Sequence, residues 1–250
     1  MEFILEKLLG FTLVITRISA FFLIAPVFSW QSIPARFKVA ITLLLAIFFS
    51  SIITLPFNTQ ETSIPQAVIL LSLEAAYGLA LGLVVTILFS AVKVAGRIVE
   101  REMGFAMAEI LDPLTGEGSQ PASSLLEMIF VLMFLSANGH HLFLLVVARS
   151  FETFPIGQIP TIELLTTSVT QAGSELLIAG LKIAAPMLAA FILLMIVLAV
   201  MAKIEPEMNI LFLSLPLRVG LGLIMLAIFI PYISSFIEEF ASKINLLLPI

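Results

Sequence analysis

Six long apolar stretches take up most of this chain, and they decide the solvent in which it can fold. Hydrophobic residues make up 60% of the 250 residues and charged residues only 12%. Soluble domains average about 45–50% apolar and about 25% charged residues. The chain therefore has too few polar residues to cover its apolar surface in water. We expect lipid, partner subunits or both to surround it, and its function to be carried out at or across a membrane.

Each stretch is long enough to form a helix that crosses a bilayer. Such a helix needs about 20 apolar residues, because the hydrocarbon layer is about 30 Å thick. The last stretch contains Pro216 and Pro231, which predict a kink or a break. The region 161–180 is predicted as a separate amphipathic helix. The pattern predicts an all-α, multi-helix integral membrane protein with long, partly broken helices and helical hairpins. The predicted spans are 8–28, 39–55, 67–92, 128–148, 183–202 and 208–236.

The composition also argues against several functional classes. The chain has no cysteine, which excludes disulfides and thiolate metal sites. Its net charge of −5 argues against nucleic acid as a partner. No catalytic constellation, cofactor motif or metal-ligand spacing is present, so we predict no enzyme activity, no cofactor and no metal. Glu2 and Glu6 make the N-terminus acidic where a secretory signal is basic, so the first stretch is expected to remain in the mature protein.

Three charged residues lie inside the apolar stretches: Arg17, Glu74 and Arg218. A charge at the centre of a spanning helix costs about 2.5–3.5 kcal/mol on insertion scales. Such residues either pair within the bundle or with a partner subunit, or they form a path for protons or ions. A relay usually needs more than one buried acid, and Glu74 is the one clear case, so we favour pairing.

Small residues four apart predict close helix packing. Gly78 and Gly82 would let two helices approach each other closely. Gly220 and Gly222 are a weaker signal of the same kind.

Several short stretches are too particular for generic membrane helices, and their order carries more information than any one of them. They include the Asn138-Gly139 pair, which also predicts a break in the fourth stretch. The positions are Arg17, Pro26, Pro34, Arg36, Gly96, Gly104, Asp112, Pro113, Asn138, Gly139, His140, Pro206, Asn209, Pro216 and Arg218. In this order and spacing they resemble the FliR/SctT family of type III secretion export-gate proteins, and its flagellar branch in particular. The chain departs from the family pattern at Glu207, where the family usually has glutamine.

The resemblance implies a structural, channel-forming subunit of the flagellar export gate, in which unfolded flagellar proteins pass across the inner membrane. It implies one integrated, all-helical unit, with 1–175 similar to a FliP-type subunit and 176–250 similar to a FliQ-type hairpin. The implied partners are FliP- and FliQ-like subunits, FlhB, FlhA, membrane lipid and the exported proteins. The implied location is the inner membrane at the flagellar basal body, as a multi-pass protein.

The resemblance also implies that the loop at about 103–121 contributes to a plug in the channel. Methionine side chains are flexible enough to seal around variable cargo, and hydrophobic constrictions close pores by dewetting. Ordinary helix packing of Met103, Phe105 and Met107 is the alternative. The implied plug residues are Met103, Phe105, Met107, Ile110 and Leu111.

Two other functions stay open at this point. An ion-coupled secondary transporter is compatible with six spans and intramembrane charges, but the chain shows one buried acid and no inverted repeat. The virulence-type (injectisome) homologue of the same family is closer, although the Asn138-Gly139-His140-His141 stretch favours the flagellar branch.

Overall fold

The structure is a computed structural model that describes residues 2–26, 28, 33–53, 63–105, 120–158, 160–207 and 209–247. Within these ranges every regular element is helical, which confirms the predicted all-α class. A 3-10 turn at Ile230–Tyr232 separates the last two described helices. The α-helices are α1 (Glu2–Ile24), α2 (Ala35–Ile52), α3 (Ile64–Glu102), α4 (Pro121–Ser136), α5 (Gly139–Thr153), α6 (Ile162–Ile204), α7 (Ile210–Phe229) and α8 (Ile233–Leu247).

Five helical segments in the described part of the chain are long and apolar enough to cross a membrane. They correspond to five of the six predicted stretches, as expected for a multi-pass membrane protein. Helices α4 and α5 would make a sixth crossing if they are counted together. The five segments are Lys7–Ile24, Ala35–Ile52, Ile64–Glu102, Ile162–Ile204 and Phe212–Phe240.

The fourth predicted stretch, 128–148, is not one straight helix. It divides into α4 and α5, which are bent by 72° with respect to each other. Asn138 lies at the bend with a φ of +60°, in the left-handed region that asparagine tolerates better than most residues. The break predicted at Asn138-Gly139 is therefore confirmed, and the fourth stretch is a bent pair of helices.

The helix predicted at 161–180 is present, but it is not separate from the stretch at 183–202. Helix α6 runs without interruption for 43 residues, from Ile162 to Ile204. Gly180 does not end it, because this glycine lies where α6 touches α3: a Cβ at Gly180 would be 3.2 Å from the carbonyl oxygen of Ala91. Pro186 also lies inside the helix. Tertiary packing outweighs the local helix-breaking signals here.

The two prolines of the last stretch behave differently. Pro216 lies inside α7, whereas Pro231 lies in the 3-10 turn between α7 and α8. The predicted break therefore occurs at Pro231 alone.

The chain forms two compact units. Unit 1 comprises Met1–Phe89, Asn138–Ser174 and Phe240–Ile250, and unit 2 comprises Ser90–Ala137 and Glu175–Glu239. The buried core of unit 1 includes Leu13, Ile18, Phe21, Leu81, Phe143 and Val146, and that of unit 2 includes Val99, Leu126, Phe130, Phe134, Met187 and Phe191. The predicted parts 1–175 and 176–250 describe a likeness to FliP- and FliQ-type proteins, and this likeness stays a prediction.

Helices α1 and α3 approach each other along a stripe of small residues in unit 1. A Cβ at Gly82 would lie 2.8 Å from the carbonyl oxygen of Phe21, and Gly78 is similarly close to the carbonyl oxygen of Arg17. One turn further along α3, the Thr86 hydroxyl donates to the carbonyl oxygen of Ile24 at 2.9 Å. The small residues thus serve a contact within this chain.

Helix α2 is the least covered element of unit 1. It buries only Ala46 and Phe49 of its 18 residues. Large apolar side chains such as Leu44 and Ile47 are more than 60% exposed. In its working environment this surface has to be covered by lipid or by other protein.

Candidate functional site: a buried ion pair and the ends of a loop

Two of the three charged residues predicted inside the apolar stretches are in direct contact. The Arg17 guanidinium on α1 donates through Nε to Glu74 Oε2 on α3 at 2.5 Å. Both residues are almost completely buried, with Arg17 1% and Glu74 0% exposed. A buried charge is tolerated when it is paired and its remaining hydrogen-bonding groups are satisfied.

The ion pair also fixes the end of α5 and the turn after it. Arg17 Nη1 donates to the backbone carbonyl oxygens of Ser150 and Phe154, both at 2.9 Å. A cation at this place is favourable, because a helix C-terminus carries partial negative charge. Glu74 Oε1 accepts the backbone N–H of Gly157 at 2.9 Å. Gly157 has a φ of +84°, a conformation that favours glycine. Both carboxylate oxygens of Glu74 are therefore engaged by groups of the same chain.

Aromatic rings complete the surroundings of Arg17. Its guanidinium carbon lies 4.3 Å from the ring centre of Phe151 and 4.8 Å from that of Tyr77. Cation–π contacts of this kind contribute about 2 kcal/mol when they are desolvated. Arg17 Nη2 has no hydrogen-bond partner among the residues that the structure describes. The arrangement neutralises the arginine within unit 1 and joins α1, α3 and α5.

Arg218, the third predicted charge, belongs to unit 2 and is bonded differently. Its Nη1 donates to the backbone carbonyl oxygen of Glu102, the last residue of α3, at 3.4 Å. Its Nε is buried and has no hydrogen-bond partner in the described part of the chain. Arg218 thus contacts the end of a helix rather than a carboxylate.

Unit 2 also contains two exposed ion pairs. Lys93 and Glu127 lie 3.5 Å apart, and Lys182 and Glu239 lie 3.4 Å apart. The Lys93 and Glu127 side chains are 43% and 32% exposed. Pairs exposed to this degree contribute little to stability.

Helix α3 ends where the predicted plug loop begins. Gly104 has a φ of +89°, its N–H donates to the carbonyl oxygen of Arg101 at 3.1 Å, and the N–H of Phe105 donates to that of Glu100 at 3.4 Å. These two bonds define a Schellman ending, which requires a left-handed residue and so favours glycine. Gly104 therefore ends the helix. The backbone of Gly104 and Phe105 is held against the last turn of α3 by these two bonds.

The predicted plug residues differ in where the structure places them. Met103 is 0% exposed and packs in the core of unit 2, whereas Phe105 is half-buried. Met107, Ile110 and Leu111 lie outside the described residues. Met103 is thus an internal packing residue within this chain.

The other end of the loop is also held by α3. Glu100 is 6% exposed, and its Oε1 accepts the backbone N–H of Ala122 at 3.3 Å. A carboxylate at a helix N-terminus satisfies an otherwise unpaired N–H and is favoured by the helix dipole. Arg97 Nε donates to Gln120 Oε1 at 3.1 Å. Nearby, a Cβ at Gly96 would lie 2.6 Å from Cα of Ser123, so α3 and α4 are in close contact there.

The remaining motif positions lie mostly at helix ends. Pro26 follows α1, Pro34 and Arg36 flank the start of α2, and Asn138, Gly139 and the exposed His140 form the start of α5. Pro206 and Asn209 lie between α6 and α7, and Pro216 lies in the first half of α7. Asp112 and Pro113 lie outside the described residues. Nothing in the sequence marked the Glu100 carboxylate as the cap of another helix.

The described part of the chain contains no group of three histidine, cysteine or acidic side chains that could hold a metal ion. The groups brought together are an ion pair, backbone caps and apolar contacts. Their chemistry is that of holding helices in place.

Comparison with known proteins places the chain in a family. The family described as "Bacterial export proteins, family 1" matches residues 8–244. Flagellar biosynthetic protein FliR of Bacillus subtilis is 31% identical over 232 residues, which cover 91% of this chain and 88% of that protein. FliR of Escherichia coli is 29% identical over 92% of this chain and 88% of its own length. Yop proteins translocation protein T of Yersinia pestis is 27% identical over 100% of this chain and 98% of its own length.

These matches confirm the resemblance drawn from the ordered motifs. They cover both units and every described helix, so they concern the whole fold rather than one segment. The chain therefore belongs to the bacterial export proteins, family 1, a family of structural components of export apparatus rather than of enzymes.

Proposed function

We propose that this chain is a structural, channel-forming subunit of the flagellar type III protein export gate in the inner membrane. The names of its relatives, flagellar biosynthetic protein and Yop translocation protein, support a component of type III export. The flagellar relatives support the flagellar branch over the injectisome. The proposed partners are FliP- and FliQ-like subunits, FlhB, FlhA and membrane lipid, with unfolded flagellar proteins as cargo.

The observation that carries the proposal is the contrast between the fully bonded carboxylate of Glu74 and the uncovered apolar helices. Glu74 has both carboxylate oxygens bonded within the chain, which disfavours a proton or ion relay and hence the secondary transporter. Meanwhile α2 leaves all but two of its 18 side chains at least partly exposed. Such a surface has to be covered by lipid or by other chains, and it supports a subunit that is built into a larger membrane assembly.

In this proposal two parts of the chain correspond to two kinds of gate subunit. Residues 1–175 act as a FliP-type part and residues 176–250 as a FliQ-type hairpin. Purification through this chain tests the partners: FliP- and FliQ-like chains in one complex, counted by native mass measurement, support the gate. A stable lone monomer or homodimer that binds a small solute would contradict it.

The loop between α3 and α4 is proposed to close the channel. Met103 anchors its start, and Phe105, Met107, Ile110 and Leu111 supply the apolar closure. Replacing Phe105 and Met107 together by serine is expected to raise the ion permeability of cells that carry the altered gate, without loss of assembly.

A matched control replaces Phe37 and Met128 by serine. These two side chains are 64% and 54% exposed on α2 and α4. The control is expected to leave permeability unchanged. A fully assembled gate with Phe105→Ser and Met107→Ser and an unchanged permeability would rule out the plug role.

A further inference from the structure

Helices α1 and α2 pack against each other in unit 1 and leave an open groove between them. The groove has a volume of about 440 Å³, within the range of small-molecule sites. It lies between positions 15–23 of α1 and 38–43 of α2, and we call it the α1–α2 groove. In the described part of the chain its lining consists of six apolar side chains, two hydroxyls and the ammonium of Lys38.

The two hydroxyls of the lining do not require a polar ligand. Ser19 Oγ donates to the carbonyl oxygen of Thr16 at 3.1 Å, and Thr42 Oγ1 donates to that of Lys38 at 2.8 Å. Each hydroxyl is therefore satisfied within its own helix. The walls of the groove suit an apolar chain, and the Lys38 ammonium is the group that can bind an anionic end of the same ligand.

The groove runs in the direction that an acyl chain takes in a bilayer. Both helices that form it are long and apolar enough to cross a membrane. Positions 15 and 23 are separated by about 12 Å along α1, and the 18 residues of α2 extend for about 27 Å, close to the thickness of the hydrocarbon layer of about 30 Å. Lys38 lies in the first turn of α2. Its ammonium therefore reaches the membrane surface, while the apolar lining extends into the hydrocarbon layer.

The sequence around this end of the groove is basic. It has no acidic residue between Glu6 and Glu61, whereas Arg36 and Lys38 both stand at the start of α2. Basic pockets between membrane helices bind the head groups of anionic lipids. The charge at the groove thus matches a phosphate at the depth where phospholipid head groups lie.

A second groove, towards the other end of α2, lacks this combination. It has a volume of about 720 Å³, lies between α2 and α5, and has the Glu152 carboxylate in its lining. A carboxylate repels an anionic head group. The α2–α5 groove therefore provides a comparison within the same unit.

We infer that the α1–α2 groove binds one acyl chain of an anionic phospholipid, with the phosphate of that lipid held by Lys38 and Arg36 adding positive charge nearby. This site goes beyond the proposed export function. It needs α1 and α2 to lie in a membrane, and it does not depend on closure of a channel. The bound lipid would cover part of the apolar surface that α2 leaves exposed.

The first experiment uses a phosphatidylglycerol that carries a photoreactive diazirine in one acyl chain. Phosphatidylcholine with the same chain is the control without net charge. The complex purified through this chain is reconstituted into vesicles with either probe and irradiated, and the labelled peptides are identified by mass spectrometry. Peptides that contain 15–23 and 38–43 should be labelled about fivefold more by the anionic probe. Peptides from 141–155 should show no such preference. Equal labelling of the α1–α2 groove by both probes would overturn the inference.

The second experiment removes the charge. Lys38→Gln should abolish the fivefold preference, a change equivalent to about 1 kcal/mol. The matched control is Lys203→Gln, which removes the same charge from an exposed position in the last turn of α6. This control should keep the preference. If both variants reduce labelling of the groove equally, the attraction is a general effect of surface charge and the site is wrong.

The third experiment fills the groove without changing its charge. Ser19→Phe should remove labelling of 38–43 by either probe. The matched control is Ser72→Phe on α3, because Ser72 is also exposed and its hydroxyl also donates within its own helix, to the carbonyl oxygen of Val68 at 2.9 Å. Labelling that survives Ser19→Phe would contradict the site. If Ser19→Phe does not assemble, Lys38→Gln decides the question, because it leaves the walls of the groove unchanged.

Covering of the groove by another protein chain is the competing outcome. The chain has no cysteine, so Ser19→Cys introduces the only thiol. If neither lipid labels the groove and this thiol is also closed to a membrane-permeant maleimide, another chain covers the groove and the inference is wrong. The proposed function is judged separately. A complex that contains FliP- and FliQ-like chains but no lipid in this groove would support the function and overturn the lipid site.

Discussion

Replacing Glu74 by alanine is the strongest single perturbation that the structure offers. The change leaves the Arg17 guanidinium buried without its counter-charge and leaves the Gly157 N–H without its acceptor. Removing one partner of a buried pair costs about 3–5 kcal/mol, and leaving the part-buried Gly157 N–H without an acceptor adds up to about 1–3 kcal/mol. The total of about 4–8 kcal/mol is comparable with the whole stability of a typical domain, about 5–15 kcal/mol.

The expected readout is the thermal midpoint of the purified complex. One kcal/mol shifts the midpoint of a chain of this size by about 2–4 °C, so Glu74→Ala should lower it by at least about 8 °C or prevent assembly. The control is Glu127→Ala, which breaks the exposed pair with Lys93. Exposed pairs contribute about 0–1 kcal/mol, so this variant should stay close to the parent protein.

A double variant separates charge burial from loss of packing. Arg17→Met/Glu74→Leu removes both charges and keeps apolar volume, so it should recover about 3 kcal/mol of what Glu74→Ala loses. It should not recover everything, because the Phe154 carbonyl and the Gly157 N–H lose their partners.

Two results would refute this reasoning. One is a Glu74→Ala midpoint no lower than that of Glu127→Ala. The other is a double variant less stable than Glu74→Ala. A gate that assembles fully with Glu74→Ala but exports nothing would instead assign Glu74 to proton movement.

Two further substitutions test the helix contacts. Gly82→Ala should lower the thermal midpoint, because the new Cβ would lie 2.8 Å from the Phe21 carbonyl oxygen. In the control Gly173→Ala the new Cβ has no neighbour within 4 Å, so this variant should be neutral or slightly stabilising. Equal midpoints of the two variants would contradict the close α1–α3 contact. Asn138→Val should cost about 1–2 kcal/mol because a β-branched residue is strained at φ +60°, while Asn138→Gly should be tolerated. A valine variant as stable as the glycine variant would show that the left-handed bend is not needed.

The helices could be predicted from the sequence wherever the length of an apolar stretch determined the structure. Five predicted stretches correspond to helical segments because about 20 apolar residues in a row have few alternatives in a bilayer. The bend at Asn138 was predicted as a break but not as a change of direction, because φ at one residue leaves no mark on hydropathy. The join of 161–180 to the following helix was missed because packing at Gly180 outweighs its low helix propensity.

The candidate site was predictable only in part. Arg17 and Glu74 were visible as costly charges, but a chain separation of 57 residues does not distinguish a contact within the chain from one with a partner. Their other partners are backbone groups at Ser150, Phe154 and Gly157, which carry no side-chain signal. Gly222 gave only a weak small-residue signal, since Met103, whose side chain lies against it, is distant in sequence.

Helices α3 and α6 are longer than the membrane is thick, which decides how much apolar surface lies outside it. At about 1.5 Å per residue, their 39 and 43 residues extend to about 58 and 64 Å. The hydrocarbon layer is about 30 Å thick, and a tilt of about 20° changes this little. Roughly half of each apolar helix therefore extends beyond the hydrocarbon layer. A copy whose protruding surface is not covered by other protein exposes a large apolar area to water, where chaperones and proteases act on such surfaces.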